Sequence, residues 1–539
     1  MAQNAIFGIN SNLDTGGIID NLITLQRQPI DIVEAKRALE DAKLLSFQDL
    51  KDRLQSFKSV VNTLNTESRF LTTTGVFSNN NSTDTNDVAS LTTTSAATSG
   101  TFSLVVNNLA RETKLLSSGY ADTSSEIGYG TVSITVGSTV TNITIDSGNN
   151  TLDGIRLAIN NSGANVQASF INDGSATDPV KLVISGTQTG ADNAVSISAS
   201  NTLFGFGQVS PISFTETQAA QNASFVLDGV AVTKANNTVT DVIGGTTLTL
   251  ESAGSGLITL SPDEEAIKEK VQNYVDGYNE LNLHLNSELA LTESSGETGV
   301  LFANFTVQNL QQKLRETLTG QVVGIDGEFS FLSQVGLRTQ SDGTLSIDDG
   351  VLSTAIASDI GNVTQLFSSS GRTSSSAVTF VGFTDNTEPG GYKVRVSGGV
   401  VQLAASGSST FVDAVGNGNF YAGAPGTDAE GLNFRISNLA DGDYGTITLA
   451  IGAAQITNRI LARLTDASLD GPLEAEIDSA TETITDFDET IADLEERLVL
   501  FENSIRNRFT NLEVVLGRLN SQKAAFESSI DGIKSLFSG

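Results

Sequence analysis

Few residues in this 539-residue sequence could carry out chemistry. It contains no cysteine, which excludes disulfides, thiolate zinc sites and a cysteine nucleophile. The single histidine, His284, excludes multi-histidine metal sites and leaves one candidate general base. Because His284 lies between Leu283 and Leu285 in a helical pattern, we expect it to have a packing or surface role.

The acidic residues do not form a recognisable site either. Asp441-Gly442-Asp443 resembles the start of a calcium loop, but the later ligand positions are missing, so we predict a turn. Glu495 and Glu496 are expected on a solvated helix face. The common serine-hydrolase, phosphate-binding and zinc-protease motifs are absent. We predict no cofactor, no metal and no catalytic residue.

An enzyme of unusual type is one alternative. A pair of carboxylates in a β-rich segment could support glycoside hydrolysis. However, 62 acidic residues offer too many pairs to single one out, and activity of the isolated β segments on glycans would be needed to support this alternative.

The charge limits the partners. Thirty basic and 62 acidic side chains give a net charge of −32, which repels nucleic acid and anionic membranes. The first ten residues contain no Lys or Arg and no long apolar run, so they do not resemble a cleaved signal peptide. No 18-residue apolar stretch follows. We therefore predict neither a nucleic-acid partner nor a membrane partner.

The C-terminal region gives the strongest structural signal. Apolar residues recur at alternating steps of three and four from Ile477 to Phe537, with one additional step of four between Ile505 and Phe509. This heptad pattern is typical of a supercoiled helix. A helix of this length would extend roughly 90 Å, so it must pack on other long helices.

Shorter helical patterns could provide those partners. One follows Pro29, which suits a first helical position, and one follows Ser261-Pro262-Asp263. A third covers Val307–Thr319. Packing within one chain and packing between chains both remain open for these stripes.

Two β-rich stretches interrupt the helices, at about residues 72–262 and 371–452. Both show short alternating apolar runs, and Asp228-Gly229 is a tight-hairpin signal. Residues 1–70 hold eight basic and nine acidic side chains, and residues 497–539 hold six basic and four acidic side chains. Nearly all of the net negative charge therefore lies between the helical ends.

We therefore predict an α+β multidomain protein. Long terminal helices form a coiled-coil stem and a helical bundle, and β-rich head domains are inserted between them. The predicted boundaries are 1–42 with 505–539 for the stem; 43–72, 262–370 and 453–504 for the bundle; 73–120 with 215–261 for a first head; 121–214 for a second head inserted in the first; and 371–452 for an additional head.

Several blocks resemble one known family. The opening block contains Gly8, Ile9, Ser11, Leu13, Asp14 and Thr15. Further blocks follow in order along the chain: Ser99–Val106, Ala223–Gly229, Asn237–Leu248, Tyr274–Asn279, Leu332–Leu337, Asp342–Asp348, Arg497–Leu498 and Leu519–Gln522. Together they resemble the flagellar filament-cap family, also called the hook-associated protein 2 or FliD family. Asn12 stands where a glycine is usual, and Leu516-Gly517 replaces a usual Met-Ser.

The resemblance implies a structural function. Such a protein would be exported unfolded by the flagellar type III system, with a chaperone, and would form a homo-oligomeric ring at the extracellular filament tip. There it would guide the polymerisation of flagellin, prevent flagellin loss and contact hook–filament junction proteins. Its heads would be available to a host or surface receptor.

The resemblance also suggests candidate interface residues. We assign oligomerisation and flagellin binding to apolar and polar positions of the two terminal patterns: Leu22, Leu25, Ile32, Phe509, Leu512, Leu516, Leu519, Asn520, Gln522 and Phe526. The main alternative is a secreted surface adhesin with β heads on a coiled stalk. Adhesins usually carry a signal peptide or an anchor, and neither is recognisable here.

Overall fold

A computed structural model describes residues 14–80, 87–199, 212–291, 298–325, 327–465 and 471–537. In these ranges eight α-helices are present: α1 (Thr15–Val61), α2 (Glu67–Phe70), α3 (Leu152–Asn160), α4 (Glu264–Glu288), α5 (Phe305–Thr319), α6 (Asp349–Phe367), α7 (Ala453–Thr465) and α8 (Pro472–Phe537). Short 3₁₀ helices lie at Ala191–Asn193 and Leu332–Val335. The predicted long terminal helices are confirmed.

The chain divides into two compact units. One contains the residues up to Glu67 and from Lys268 onward, and the other spans Ser68–Ile267. The first unit contains most of the helices and the second is mainly β-sheet. This combination confirms an α+β multidomain fold.

Helix α1 is longer than expected. Asp14 caps its first turn by accepting a hydrogen bond on Oδ1 from the Gly17 backbone N–H at 2.9 Å. Pro29 lies inside the helix, so its prediction as the first helical residue is wrong. A proline there cannot donate to the carbonyl four residues earlier. The 47-residue helix tolerates that defect because apolar positions on both sides, including Ile19 and Ile30, are buried.

Helix α8 is continuous over 66 residues and begins at Pro472, a position where proline sacrifices no helical hydrogen bond. Its length is roughly 100 Å. It packs against α1 and α7 in the first unit.

The helical bundle has an aromatic centre. Tyr274 of α4 is completely buried and lies 5.5 Å from the Phe57 ring of α1 and 6.1 Å from Phe367 of α6, between ring centroids. Its hydroxyl hydrogen-bonds to Thr457 Oγ1 of α7 at 3.1 Å. Burial raises the pKa of the Tyr274 phenol, so this hydrogen bond involves the neutral side chain. One residue thus joins four helices.

The second unit contains fifteen strands within the described ranges. They are β1 (Thr73–Asn79), β2 (Ala89–Thr93), β3 (Gly100–Asn108), β4 (Lys114–Ser117), β5 (Gly130–Val136), β6 (Thr139–Ile145), β7 (Val166–Asn172), β8 (Val180–Gly186), β9 (Val195–Ala199), β10 (Phe214–Gln218), β11 (Ala223–Leu227), β12 (Val230–Lys234), β13 (Thr238–Ile243), β14 (Thr246–Leu250) and β15 (Gly254–Pro262). All pairings between these strands are antiparallel, in sheets ordered β1-β15-β3-β11-β12, β13-β14-β2, β10-β4-β8-β7 and β6-β5-β9.

These strands surround two hydrophobic cores. The first core lies under the sheets of β3, β11, β14 and β15, and the second lies between α3 and the sheets of β5 and β8. The strands β4 and β10 pair with each other, and β4 pairs with β8, so both belong to the second core. The boundaries predicted from the sequence, at residues 120 and 215, are wrong here because they assign nearly all of both strands to the first head. The predicted hairpin is confirmed: Asp228 and Gly229 adopt positive φ between β11 and β12.

A further β region lies within the first unit. After a small hairpin of β16 (Leu337–Thr339) and β17 (Leu345–Ile347), it contains β18 (Ser369–Thr373), β19 (Val378–Gly382), β20 (Gly390–Ser397), β21 (Val400–Ala405), β22 (Val412–Asp413), β23 (Val415–Asn417), β24 (Phe420–Ala422), β25 (Asn433–Ile436) and β26 (Gly442–Ile451). The strands from β18 onward form two sheets around one core. Ser369 pairs with Ile451, so the region leaves and rejoins the bundle at one place.

Candidate assembly interface

Helices α1 and α8 are antiparallel, and two ion pairs give their register. Arg37 of α1 pairs with Asp488 of α8, and Lys51 Nζ lies 2.6 Å from Glu474 Oε2. Advancing 14 residues along α1 therefore moves the partner 14 residues back along α8. The same register places Thr15, the first residue of α1, beside residue 510.

The outer face of α1 carries an apolar stripe. Ile18, Leu25, Ile32 and Leu39 recur at intervals of seven residues, and each is 41–61% exposed. Leu25 and Ile32 were candidate interface residues, and Leu22 lies beside them in a half-buried position. Ile18 and Leu39 were missed as interface residues, although their seven-residue spacing in the sequence was available as a signal.

A second stripe occupies the end of α8. Leu512, Leu519, Phe526 and Ile533 also recur every seven residues, and each is 43–68% exposed. These residues lie past position 510, where α1 begins. The structure therefore presents this face to solvent rather than to α1.

The remaining α8 candidates surround this stripe. Phe509 and Leu516 are half-buried, whereas the polar candidates Asn520 and Gln522 are exposed. The structure thus brings the α8 candidates onto one stretch of helix, separate from the α1 stripe.

The opening family-like block is only partly described. Gly8, Ile9, Ser11 and Leu13 lie outside the described residues. Asp14 forms the α1 cap, and Thr15 is buried, with no hydrogen-bond partner for its Oγ1 within the described ranges. These two residues therefore position the start of α1.

Two other family-like blocks contact each other in the bundle. Asn279 of α4 exchanges two hydrogen bonds with the Leu345 backbone: its Nδ2 donates to the carbonyl at 2.9 Å, and its Oδ1 accepts from the N–H at 2.7 Å. Tyr278 donates to the Gly343 carbonyl at 2.9 Å. The blocks at 274–279 and 342–348 thus form one structural unit that supports the paired helices.

His284 packs between α4 and α1. Its side chain is 12% exposed, and Nε2 lies 3.5 Å from Asp49 Oδ2. Burial, followed by the nearby Arg53 guanidinium, lowers the pKa of the His284 imidazole. A hydrogen bond from Arg53 lowers the pKa of Asp49. Of the two roles expected for His284, packing or surface, the structure shows packing.

The acidic turn motif also has a structural role. The Asp441 carboxylate accepts hydrogen bonds from the backbone N–H groups of Gly398 and Gly399 at 3.0 and 3.1 Å, and these bonds lower its pKa. Within the part of the chain that the structure describes, no three His, Asp or Glu side chains converge as a metal site. Searching the same residues gives no helix with both the length and the apolar character needed to span a bilayer.

Comparison with known proteins identifies the family. Residues 220–521 match the model for the flagellar hook-associated protein 2 C-terminus, and residues 11–113 match the model for its N-terminus. The two matches lie at opposite ends of the chain and include both helices of the α1/α8 pair.

Curated relatives agree with these matches. A B-type flagellar hook-associated protein 2 from Pseudomonas aeruginosa is 30% identical over 60% of this chain and 72% of the relative. A flagellar hook-associated protein 2 from Escherichia coli K12 is 28% identical, over 69% of this chain and 82% of the relative.

One solved structure supports the fold. The D1-D2-D3 domains of the flagellar cap protein FliD from Escherichia coli align with a TM-score of 0.52 and 22% identity, covering 81% of this chain and 99% of that structure. Together, the paired terminal helices with inserted β regions, the two family models and the curated relatives establish that the chain belongs to the flagellar hook-associated protein 2 family.

Proposed function

We propose that this chain forms the cap at the distal tip of the bacterial flagellar filament, where it guides flagellin polymerisation and prevents flagellin loss. Family membership supports the location at the flagellum. The observation that carries the assembly role is the pair of exposed apolar stripes on α1 and α8, in which the residues recur every seven positions. Heptad-spaced apolar faces on long helices normally pack against other helices.

The composition of the stripes suits reversible contacts between the subunits of a ring. Burying each large apolar side chain contributes roughly 1.5–3 kcal/mol. The exposed polar residues Asn520, Gln522 and Lys523 interrupt the α8 stripe and limit the dry contact area. A ring built from such faces would be stable in sum, yet one subunit could shift when a flagellin molecule enters.

We extend the proposal to the domain organisation and to the partners. The stem comprises the start of α1 and the end of α8, β4 and β10 belong to the second head, and the other predicted segments form the bundle, the first head and the additional head. The stem helices form coiled coils in the assembled ring. The homo-oligomer would contact flagellin and hook–filament junction proteins, after secretion through the type III system with a chaperone. The heads are available to a surface receptor.

This role is structural, without catalysis. The glycosidase alternative has no supporting observation in the described structure. The family models and relatives give no support to the adhesin alternative.

Substitution within the α8 stripe tests the function. In a strain that lacks its own copy, the full-length chain should restore filaments. We expect the double variant Leu519→Glu and Phe526→Glu to be secreted and folded, yet to release flagellin into the medium without forming filaments. Leu283→Glu, at an exposed apolar position of α4, is the matched control and should restore filaments. Normal filaments with the stripe variant would contradict the proposal.

A further inference from the structure

The two exposed stripes of the terminal helices match each other in length and spacing. The α1 stripe is Ile18, Leu25, Ile32 and Leu39, and the α8 stripe is Leu512, Leu519, Phe526 and Ile533. Each stripe has four large apolar residues at seven-residue steps and spans 21 residues, which is about 32 Å of helix. Two helix faces of equal length and spacing can pack side by side along their whole length.

The two stripes of one chain cannot pair with each other. The ion pairs between α1 and α8 fix the register of these helices, so Leu25 lies level with position 500 of α8. Leu519 is 19 residues farther along the same continuous helix, which is about 28 Å away. The α1 stripe and the α8 stripe of one chain are therefore out of reach of each other along most of their length.

The length of α1 that carries its stripe also fits the end of α8. Helix α8 extends 27 residues past position 510, beside which α1 begins, and ends at Phe537. On α1, Lys43 lies one turn beyond Leu39 on the same face, and there it lines a cavity together with the loop of residues 300–304. The 27 residues from Gly17 to Lys43 therefore form a track between the start of α1 and this loop, and the track is as long as the end of α8.

Only one pairing of the stripes between two copies closes on itself. Pairing in opposite order, with Ile18 beside Ile533, keeps both copies in the same orientation but shifts them by 26 residues, or about 39 Å. That contact leaves a free stripe at each end and continues as an open chain of copies. Pairing in the same order, with Ile18 beside Leu512, inverts the second copy, because α1 and α8 are antiparallel within one chain. A two-fold axis then forms both contacts at once and covers both stripes of both copies.

Charge and area both permit this pairing. Residues 15–42 hold five acidic and three basic side chains, and residues 511–537 hold three of each, whereas the whole chain carries a net charge of −32. Two copies can therefore approach along these helices with little electrostatic repulsion. Four helix faces of about 32 Å by about 10 Å would bury roughly 1,300 Å², an area within the range of stable protein interfaces.

We propose that two copies of this chain form a two-fold dimer, in which the end of α8 of each copy lies on the α1 stripe of the other. The residues of the α1 stripe contact those of the α8 stripe in the same order, from Ile18 with Leu512 to Leu39 with Ile533. Phe302, which is 44% exposed in the loop beside Lys43, lies where α8 of the other copy ends. The dimer is a closed form of the chain that covers the stripes assigned above to cap assembly, and only this last relation rests on the proposed function.

Four double-cysteine proteins test the pairing, because the chain has no cysteine of its own. Leu25→Cys with Leu519→Cys, and Ile32→Cys with Phe526→Cys, place thiols face to face across the two-fold dimer. Leu25→Cys with Phe526→Cys, and Ile32→Cys with Leu519→Cys, use the same four positions but match the open, staggered pairing. Under mild oxidation of the purified full-length proteins, we expect the first two to form covalent dimers at least tenfold more than the second two.

Sedimentation gives an independent measure. Leu25→Glu with Ile32→Glu should weaken the dimer at least tenfold, and circular dichroism checks that the monomer stays folded, as expected for two exposed positions. Leu283→Glu, at an exposed position of α4, is the control and should leave the dimer unchanged.

The outcomes separate this dimer from the cap. Equal cross-linking in all four cysteine proteins, or a ladder of larger products from the staggered pairs, overturns the two-fold dimer. A wild-type protein that sediments as a monomer at every concentration overturns it as well. If the expected cross-links form but the wild-type chain fails to restore filaments, the cap function is contradicted and the dimer stands.

Discussion

Asn279 holds the Leu345 backbone through two hydrogen bonds, one in each direction, at 2.9 and 2.7 Å. This exchange attaches the β16–β17 hairpin to α4. It also explains why two family-like blocks separated by more than sixty residues are found together.

Replacing Asn279 should weaken the bundle. Asn279→Ala removes both bonds and leaves the Leu345 N–H and C=O without their partners, so we expect a loss of about 1–3 kcal/mol in the free energy of unfolding. Urea unfolding followed by circular dichroism measures it. Gln272→Ala, which removes one hydrogen bond to the Asp276 carboxylate at an exposed position of α4, is the milder control. Equal losses in the two variants would argue against the two-way bond as the cause.

The Lys51–Glu474 pair should be measurable as a coupling between the terminal helices. Both side chains are about three-quarters buried, so we expect Lys51→Glu to lower stability by about 1 kcal/mol and the double reversal with Glu474→Lys to restore most of it. A double-mutant cycle of thermal unfolding gives the coupling energy. Additive effects would mean that the Lys51–Glu474 pair does not stabilise the register.

Pro29 should be a local weak point of α1. Pro29→Ala restores the missing N–H donor, and we expect a gain of about 1–3 kcal/mol in stability. Hydrogen exchange should slow at the amides from residue 30 to residue 33. Leu45→Ala, an exposed position of the same helix, serves as the control. Unchanged exchange around position 29 would show that the helix already accommodates the proline without cost.

Acidification should destabilise the α1/α4 contact through His284. Its pKa is lowered from the ordinary value of 6.5, so the unfolded chain takes up a proton more readily than the folded one. Stability is therefore lost as the pH falls below about 6.5 towards the lowered value. Between pH 8 and pH 5 the wild type should lose more stability than His284→Gln. Parallel pH profiles of the two proteins would contradict this origin, and the single histidine can be titrated directly by NMR.

The β18–β26 region should be removable. The Gly452 N–H donates to the Ser368 carbonyl at 3.0 Å, so its ends already meet. Deleting residues 371–450 and joining the ends with two glycines should leave the bundle helices folded, at a cost of about 1–3 kcal/mol because Arg459 loses two carbonyl partners. Loss of the helical circular dichroism signal would show instead that the region is required for folding.

Local patterns predicted part of this structure well. The Asp228-Gly229 hairpin and the long C-terminal helix depend on neighbours in sequence, and both are present. The start of helix α1 was harder to predict, because proline normally marks a helix start or break. Burial of residues on both sides of Pro29 overrides that local preference. Such tertiary effects have no local signature.

The candidate sites show the same limit. The exposed α8 stripe followed from the spacing of residues in the sequence, whereas the groove of about 590 Å³ between α5, α7 and the β18–β26 region did not. Its walls come from three segments, represented by Leu310, Pro389 and Ile460, which the chain brings together only through folding. The contact between His284 and Asp49 likewise joins two helices that are far apart in sequence.

The antiparallel pairing of α1 with α8 also determines the order in which parts of the chain fold. Arg37 and Asp488 are 451 residues apart, and closing a loop of that length costs about 5 kcal/mol in chain entropy. Prior folding of the intervening segments shortens the effective loop and lowers that cost. A chain that emerges from its N-terminus also completes α8 last. We therefore expect the helix pair to close after the β regions have folded, so that the exposed stripes of α1 and α8 are set in place only once the rest of the chain is complete.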